Sequence, residues 1–231
     1  MKRVLLKLSG EALAGEKKTG FDEATCINVA NQVKALTDKG IEVGIVIGGG
    51  NFWRGRTSER MERSKADQIG MLATVMNCIY VSELFKSVGM KTAVLTPFEC
   101  GSFTKLYSLD RANKYFSKGM VVFFAGGTGH PYFSTDTATV LRAVEIHADV
   151  ILLAKAVDGV YDSDPKTNPD AKRYDEISIE EVLEKKLAVV DLTASIMCME
   201  QKMPMYVFAL QEENSIVKAI SGNFNGTRVK A

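Results

Sequence analysis

The residue types in this chain that could do chemistry on an anion are a lysine ending an apolar run, two glycine-rich turns, an arginine and several aspartates. Residues 4–8 are apolar except for Lys7, and Ser9-Gly10 ends the run. Such a lysine either snorkels at a sheet edge or aims its ammonium at a phosphate. Gly10 and Gly15 have the first spacing of a P-loop, but Glu16-Lys17 stands where Lys-Ser/Thr is required, so this is no Walker A motif. A second apolar run, 43–47, leads directly into Gly48, Gly49 and Gly50. These glycines either make a tight turn or let several backbone N–H groups converge on phosphate oxygens. Arg54 follows closely enough to reach a group held there. A third run, 120–125, ends in the glycine-rich stretch 126–136. Two such turns at strand ends of one sheet favour a ligand bound between them. Thr135 or Asp136 opens the next helix and adds N–H donors. Asp67, in the first turn of another helix, is either dipole compensation or a ligand acceptor.

These groups must be positioned by the elements between them. Strand patterns cover residues 4–8, 43–47, 92–95, 120–125, 150–153 and 205–210. Helices alternate with them. One is capped by Asp22 and closed by Lys39-Gly40, and a long one covers 66–88. Others run from Ser108 to Gly119, from Thr135 to about His147, and from a Ser178/Glu181 capping box to Lys186. The last two follow Asp191 (193–202) and begin under a Ser215 cap. This alternation predicts an α/β fold, a three-layer αβα sandwich around a mostly parallel sheet, as one domain over 1–231. The 66–88 helix is apolar around most of its circumference, at Ile69, Leu72, Val75, Met76, Ile79, Leu84 and Phe85. That calls for extensive burial, in part by another subunit. Residues 15–21 and 165–173 read as exposed loops, and 54–65 as a solvated loop or the start of a helix.

Composition narrows the classes. With 29 basic and 28 acidic residues, the chain lacks the basic excess expected of a general nucleic-acid or membrane-surface protein. The longest apolar run, 120–125, is too short to span a bilayer, and residues 1–10 lack the apolar core of a secretory leader. Cys26, Cys78, Cys100 and Cys198 show no metal-ligand or C-x-x-C spacing and read as reduced thiols of a cytoplasmic protein. His130 and His147 are too few for a zinc site, and His147 reads as a helix-end residue. No Ser-His-Asp spacing or dinucleotide fingerprint is present. The parts fit phosphoryl transfer, in which cations and N–H groups stabilise the transferred group while aspartates hold magnesium or orient the lysine.

The motifs also carry a resemblance. Residues 7–13 (Lys-Leu-Ser-Gly-Glu-Ala-Leu), Gly-Gly-Gly-Asn at 48–51 with Arg54, and 67–74 (Asp-Gln-Ile-Gly-Met-Leu-Ala-Thr) resemble those of bacterial uridylate kinases (UMP kinases), a branch of the amino acid kinase family. So do 127–136 and Val-Asp-Gly-Val-Tyr-Asp-Ser-Asp-Pro at 157–165. The resemblance implies transfer of the γ-phosphoryl group of ATP to UMP, giving UDP and ADP, with magnesium, in pyrimidine nucleotide biosynthesis. It implies Lys7, Arg54, Asp136 and Asp191 as catalytic residues, and Lys7, Leu8, Ser9, Gly10, Gly49, Arg54, Tyr161 and Asp164 around ATP. Gly48, Asp67, Thr128, Gly129, His130, Pro131, Tyr132, Phe133, Ser134 and Thr135 would border UMP. It further implies a homohexamer activated by GTP and inhibited by UTP, with Gly15, Glu16, Lys17, Lys18, Thr19 and Gly20 as the GTP-response loop. His130 stands where the family commonly has asparagine, and the connection Ala154-Lys155-Ala156 differs from some relatives. A carboxylate or carbamate acceptor, as in other amino acid kinases, and a uridine nucleotide sensor without turnover are the other readings.

Overall fold

The strand β1 (Arg3–Leu8) lies at the centre of the molecule and decides which face each residue takes. The structure is a computed structural model that describes residues 1–53 and 60–231. Arg54 and the rest of 54–59 lie outside the described residues. Side chains of a strand alternate between faces. Val4, Leu6 and Leu8 therefore enter one apolar cluster and Leu5 the other. Lys7 shares the face of Leu5.

The first cluster is completed by α2 (Glu23–Thr37), α3 (Arg63–Ser87) and α8 (Ser215–Ser221). The second is completed by α4 (Leu109–Phe116), α5 (Thr135–Glu145), α6 (Ile179–Glu184) and α7 (Leu192–Gln201). The result is the expected three-layer sandwich. Strand β1 is flanked in parallel by β2 (Glu42–Ile47) and β6 (Val150–Lys155). On the β2 side lie β5 (Met120–Phe124), β3 (Lys91–Thr96) and the short edge strand β4 (Lys105–Leu106), all parallel. On the other side β10 (Met205–Ala209) continues the parallel order. Strand β11 (Gly226–Lys230) then pairs with it antiparallel, and β9 (Glu176–Ser178) pairs with β11. A hairpin of β7 (Val160–Tyr161) and β8 (Arg173–Tyr174) stands apart. With the central strands parallel, the loops after β1, β2, β5 and β6 gather at one edge of the sheet, where open α/β sheets take their ligands.

Several local expectations change. Helix α3 begins at Arg63, and Glu62 accepts from the N–H groups of Ser64 and Lys65 at 3.0 and 3.2 Å. Asp67 therefore lies past the first turn, and dipole compensation does not explain it. Helix α5 does open at Thr135, and the residue before it, Ser134, supplies the cap, accepting from the N–H groups of Asp136 and Thr137 at 3.0 and 3.1 Å. Ser215 is the first residue of α8 rather than its cap, and its hydroxyl donates to the Leu210 carbonyl. Ser178 does accept from Glu181 N–H at 3.1 Å, while the Glu181 carboxylate pairs with Lys185 instead of closing the box. Asp22 caps α2 as expected, at 2.7 Å from Thr25 N.

Helix α3 is fixed to the sheet by Phe85, whose fully buried ring meets Phe123 of β5 edge-on at 5.2 Å. Phe85→Ala is expected to cost about 3–5 kcal/mol in urea unfolding, the range for a large buried ring. A loss below about 1 kcal/mol would mean that this contact does not hold the helix.

Candidate active site

The two glycine turns face each other across a cavity of about 520 Å³ at the carboxyl edge of the sheet. The turn after β2 is drawn in close. Its Gly48 N–H donates to Leu8 O at 3.0 Å, and the N–H groups of Phe52 and Trp53 both donate to Gly49 O at 3.0 Å. A side chain at Gly49 would come within 3.0 Å of Ala73 and of the Gly70 carbonyl on α3. At Gly10, opening the short helix α1 (Gly10–Leu13), a Cβ would come within 2.4 Å of the Gly48 carbonyl. Backbone therefore packs on backbone here, which only glycine permits. Helix α3 holds both turns from residues one helical turn apart. Asn77 Nδ2 donates to Gly48 O at 2.7 Å, and Thr74 Oγ1 accepts from Gly126 N at 2.8 Å.

The face shared by Leu5 and Lys7 is the face on which α5 packs. There the Lys7 ammonium pairs with Asp136 Oδ1 at 2.9 Å, both side chains being mostly withdrawn from water. Asp136 lines the cavity. Lys155, at the end of β6, projects from the same face and lines the cavity too, its ammonium donating to the Val189 carbonyl. Burial pushes the Lys155 ammonium below its ordinary pKa, Asp136 opposes that shift, and Lys7 adds to it. Two cations thus share the neighbourhood of Asp136, where either ammonium can also attract an anionic group in the cavity. Asp191 has other partners. It caps α7 through Ala194 N at 2.9 Å and accepts from the hydroxyls of Ser134 and Thr137. It thereby fixes the start of α5, on which Asp136 sits.

Opposite, Asp67 accepts from Arg63 Nε at 2.9 and 3.0 Å and from Tyr132 N at 2.8 Å. The Arg63 guanidinium also lies over the Tyr132 ring, 5.4 Å from its centroid. This clasp latches the 126–134 turn to α3. Within the turn, Thr128 Oγ1 accepts from His130 N at 3.2 Å, and the exposed His130 ring keeps a nitrogen 3.4 Å from Thr128 O.

Of the sequence candidates, Gly49, Asp67, Thr128, His130, Phe133, Ser134, Thr135, Asp136 and Asp191 line one cavity. Gly48, Gly129, Pro131 and Tyr132 belong to the same turns but lie outside its lining. Tyr161 and Asp164 line a second cavity of about 430 Å³, which adjoins the first through Ala188, a wall residue of both. Tyr161 donates to Asp158 Oδ1 at 2.8 Å, and this bond raises the phenol's pKa. Asp158 is held in turn by Arg173 at 2.6 Å. Leu8, Ser9 and Gly10 pass under the glycine turn and line neither cavity. Residues 15–20 form an exposed turn tethered to the same place, Asn51 Nδ2 donating to Gly20 O at 2.8 Å. The first cavity adds Trp53, Arg63, Lys155 and residues 188–190, which sequence reading passed over. Lys155 carried the same signal as Lys7, a lysine at the carboxyl end of a buried strand.

The amino acid kinase family model matches residues 2–209, and the chain belongs to that family. Within it the likeness to UMP kinases runs the length of the chain. The UMP kinase of Ureaplasma parvum is 35% identical, with a TM-score of 0.94 over 100% of this chain and 99% of that one. The UMP kinase of Bacillus anthracis is 36% identical, with a TM-score of 0.95 over 99% of this chain and 96% of that one. The uridylate kinase of Archaeoglobus fulgidus is 27% identical, with a TM-score of 0.75 over 99% of this chain and 100% of that one.

The thiols take no part in this site. Cys26, Cys78 and Cys198 are buried, and burial raises each to a pKa of about 12. A thiol reagent at pH 8 should therefore label Cys100 rapidly and the other three only on unfolding. Fast labelling of more than one thiol in the native protein would contradict the packing described.

Proposed function

We propose that this chain, as one catalytic domain over 1–231, transfers the γ-phosphoryl group of ATP to UMP, giving ADP and UDP. The observation that carries the reading is the Lys7–Asp136 pair, with Asp136 in the wall of a cavity bounded by two glycine turns and adjoining a second cavity at Ala188. The first cavity suits UMP, with Asp67 available to ribose hydroxyls and the turns to the phosphate. The second suits the nucleoside end of ATP, with Tyr161 offering a flat face. Similarity to UMP kinases supports UMP as the acceptor. UMP is a phosphate monoester with a second pKa of about 6, so it is already largely a dianion at neutral pH and needs no general base. The difficulty is repulsion between two anions. Lys7, Lys155 and the turn N–H groups act on that, and Arg54, outside the described residues, is assigned the same task.

Among the described residues, no three carboxylate, histidine or cysteine side chains stand close enough to hold a metal by themselves. That donor set fits magnesium arriving on the nucleotide phosphates, with Asp136 as the protein carboxylate that would hold it. When bound, it would supply charge neutralisation across the β- and γ-phosphates. The reading extends to a cytoplasmic hexamer in pyrimidine nucleotide biosynthesis, activated by GTP through residues 15–20 and inhibited by UTP. Ile69, Leu72 and Met76 support an assembly, because they form an exposed apolar stripe on α3 at 37%, 53% and 49% exposure.

A coupled ADP-release assay with UMP, CMP, aspartate and acetylglutamate as acceptors tests the reaction. UMP is expected to be the acceptor used, and release with another acceptor alone would refute the proposal. Lys7→Met should lower kcat by about a hundred-fold or more, the scale for losing a charge-stabilising group. UMP affinity, read from the fluorescence of Trp53, the single tryptophan, should stay nearly unchanged. An unaltered kcat would remove Lys7 from the chemistry.

A further inference from the structure

Asn51 and Asn77 are buried at 1% and 0% exposure between the glycine turn and α3, and neither lines a cavity. Each amide spends its hydrogens on two acceptors. Asn77 Nδ2 donates to Gly48 O at 2.7 Å and to Asn51 Oδ1 at 2.8 Å. Asn51 Nδ2 donates to Gly20 O at 2.8 Å and to Asn77 Oδ1 at 3.1 Å. The network fixes both amides, since flipping either would set its oxygen against a carbonyl oxygen. Asp would create the same clash with added charge, and Leu, similar in size, would fill the space and leave the part-buried Gly48 and Gly20 carbonyls without these donors. The pair also bears on Gly10, where a Cβ would come 2.4 Å from Asn51 Oδ1. The turn after β2, the chain after β1, segment 15–20 and α3 thus meet at two side chains. A further tie runs alongside, because Phe21 stacks on Tyr80 of α3 at 3.8 Å between centroids.

We infer that Asn51 and Asn77 are positioning residues for the nucleotide site: their reciprocal amide pair sets the Gly48–Gly50 turn for its phosphate ligand and links that turn to the exposed segment 15–20. The inference rests on the reading of this cavity as the UMP site. Asn77 anchors the carbonyl of Gly48 while Leu8 anchors its N–H, so the peptide entering Gly49 and Gly50 has one orientation. Gly49 and Gly50 line the cavity directly beyond it. A shift of segment 15–20 must move Gly20 O, and through Asn51 and Asn77 it must move Gly48. The converse also holds, so a ligand that fixes the turn should quiet the segment.

The test uses the full chain. UMP binding is read from Trp53 fluorescence, steady-state kinetics give KM and kcat, and amide hydrogen exchange is followed over residues 15–20. In the unsubstituted protein, UMP is expected to slow exchange across 15–20. Asn77→Leu and Asn51→Leu should each weaken UMP binding and raise its KM about ten-fold, the scale of a lost supporting hydrogen bond, and should abolish the UMP effect on exchange. The double variant should be no worse than either single one, because the residues act through each other. Asn77→Ser and Asn51→Ser serve if the leucine variants fail to fold. A merely structural role would lower Tm and leave UMP affinity intact well below it; that result, or additive losses, would overturn the inference. No UMP binding by the unsubstituted protein would instead refute the proposed function. Binding with no change in exchange over 15–20 would refute the link alone.

Discussion

A lysine on a buried strand is the constraint around which the carboxyl edge of the sheet is arranged. Lys7 alternates with Leu6 and Leu8, both fully buried, and its own side chain is only 12% exposed. A charge so withdrawn from water needs a partner. Its face of the sheet is covered by α5, so α5 must begin where an acidic residue of its first turn meets the ammonium. That start is over-determined. Ser134 caps it, Asp191 reaches across from α7 to hold Ser134 and Thr137, and the 126–134 turn is latched to α3 through Asp67.

The same pairing explains how the site can accept an anion without being disordered before it arrives. Asp136 compensates Lys7 and, more weakly, Lys155. Two ammonium groups therefore stand at Asp136 beside backbone N–H groups already fixed in place. Donors held in advance lose little on binding and reorganise little during transfer. Each turn is therefore braced by α3, through Asn77 on one side and Thr74 on the other.

Much of this was legible in the sequence. The interior strands β1, β2, β3, β5, β6 and β10 are apolar, β-branched runs because both their faces are covered. The outer strands were not legible: the edges β4 and β9 have two or three residues, and β11, between β10 and β9, alternates buried Thr227 and Val229 with Arg and Lys. Glu62 as the cap of α3 lies outside the usual capping residues, so the helix start was placed late and Asp67 was given the wrong turn. At the site, Lys7, Asp67 and Asp136 stood out singly. What no local pattern announces is that Lys7 meets Asp136, that Asp191 serves Ser134, or that Asn51 meets Asn77. Those pairings depend on strand register and helix packing. Lys155 could have been found by applying the Lys7 argument twice.

Ala188 is a wall residue of both cavities. A shared wall residue makes the two cavities neighbours in evolution as well as in space. Any change of side chain at this point bears on both compartments together. The shape of one cavity therefore cannot drift here without disturbing the other. Variation that reshapes a single cavity is confined to walls farther out, such as Tyr161 on one side and His130 on the other.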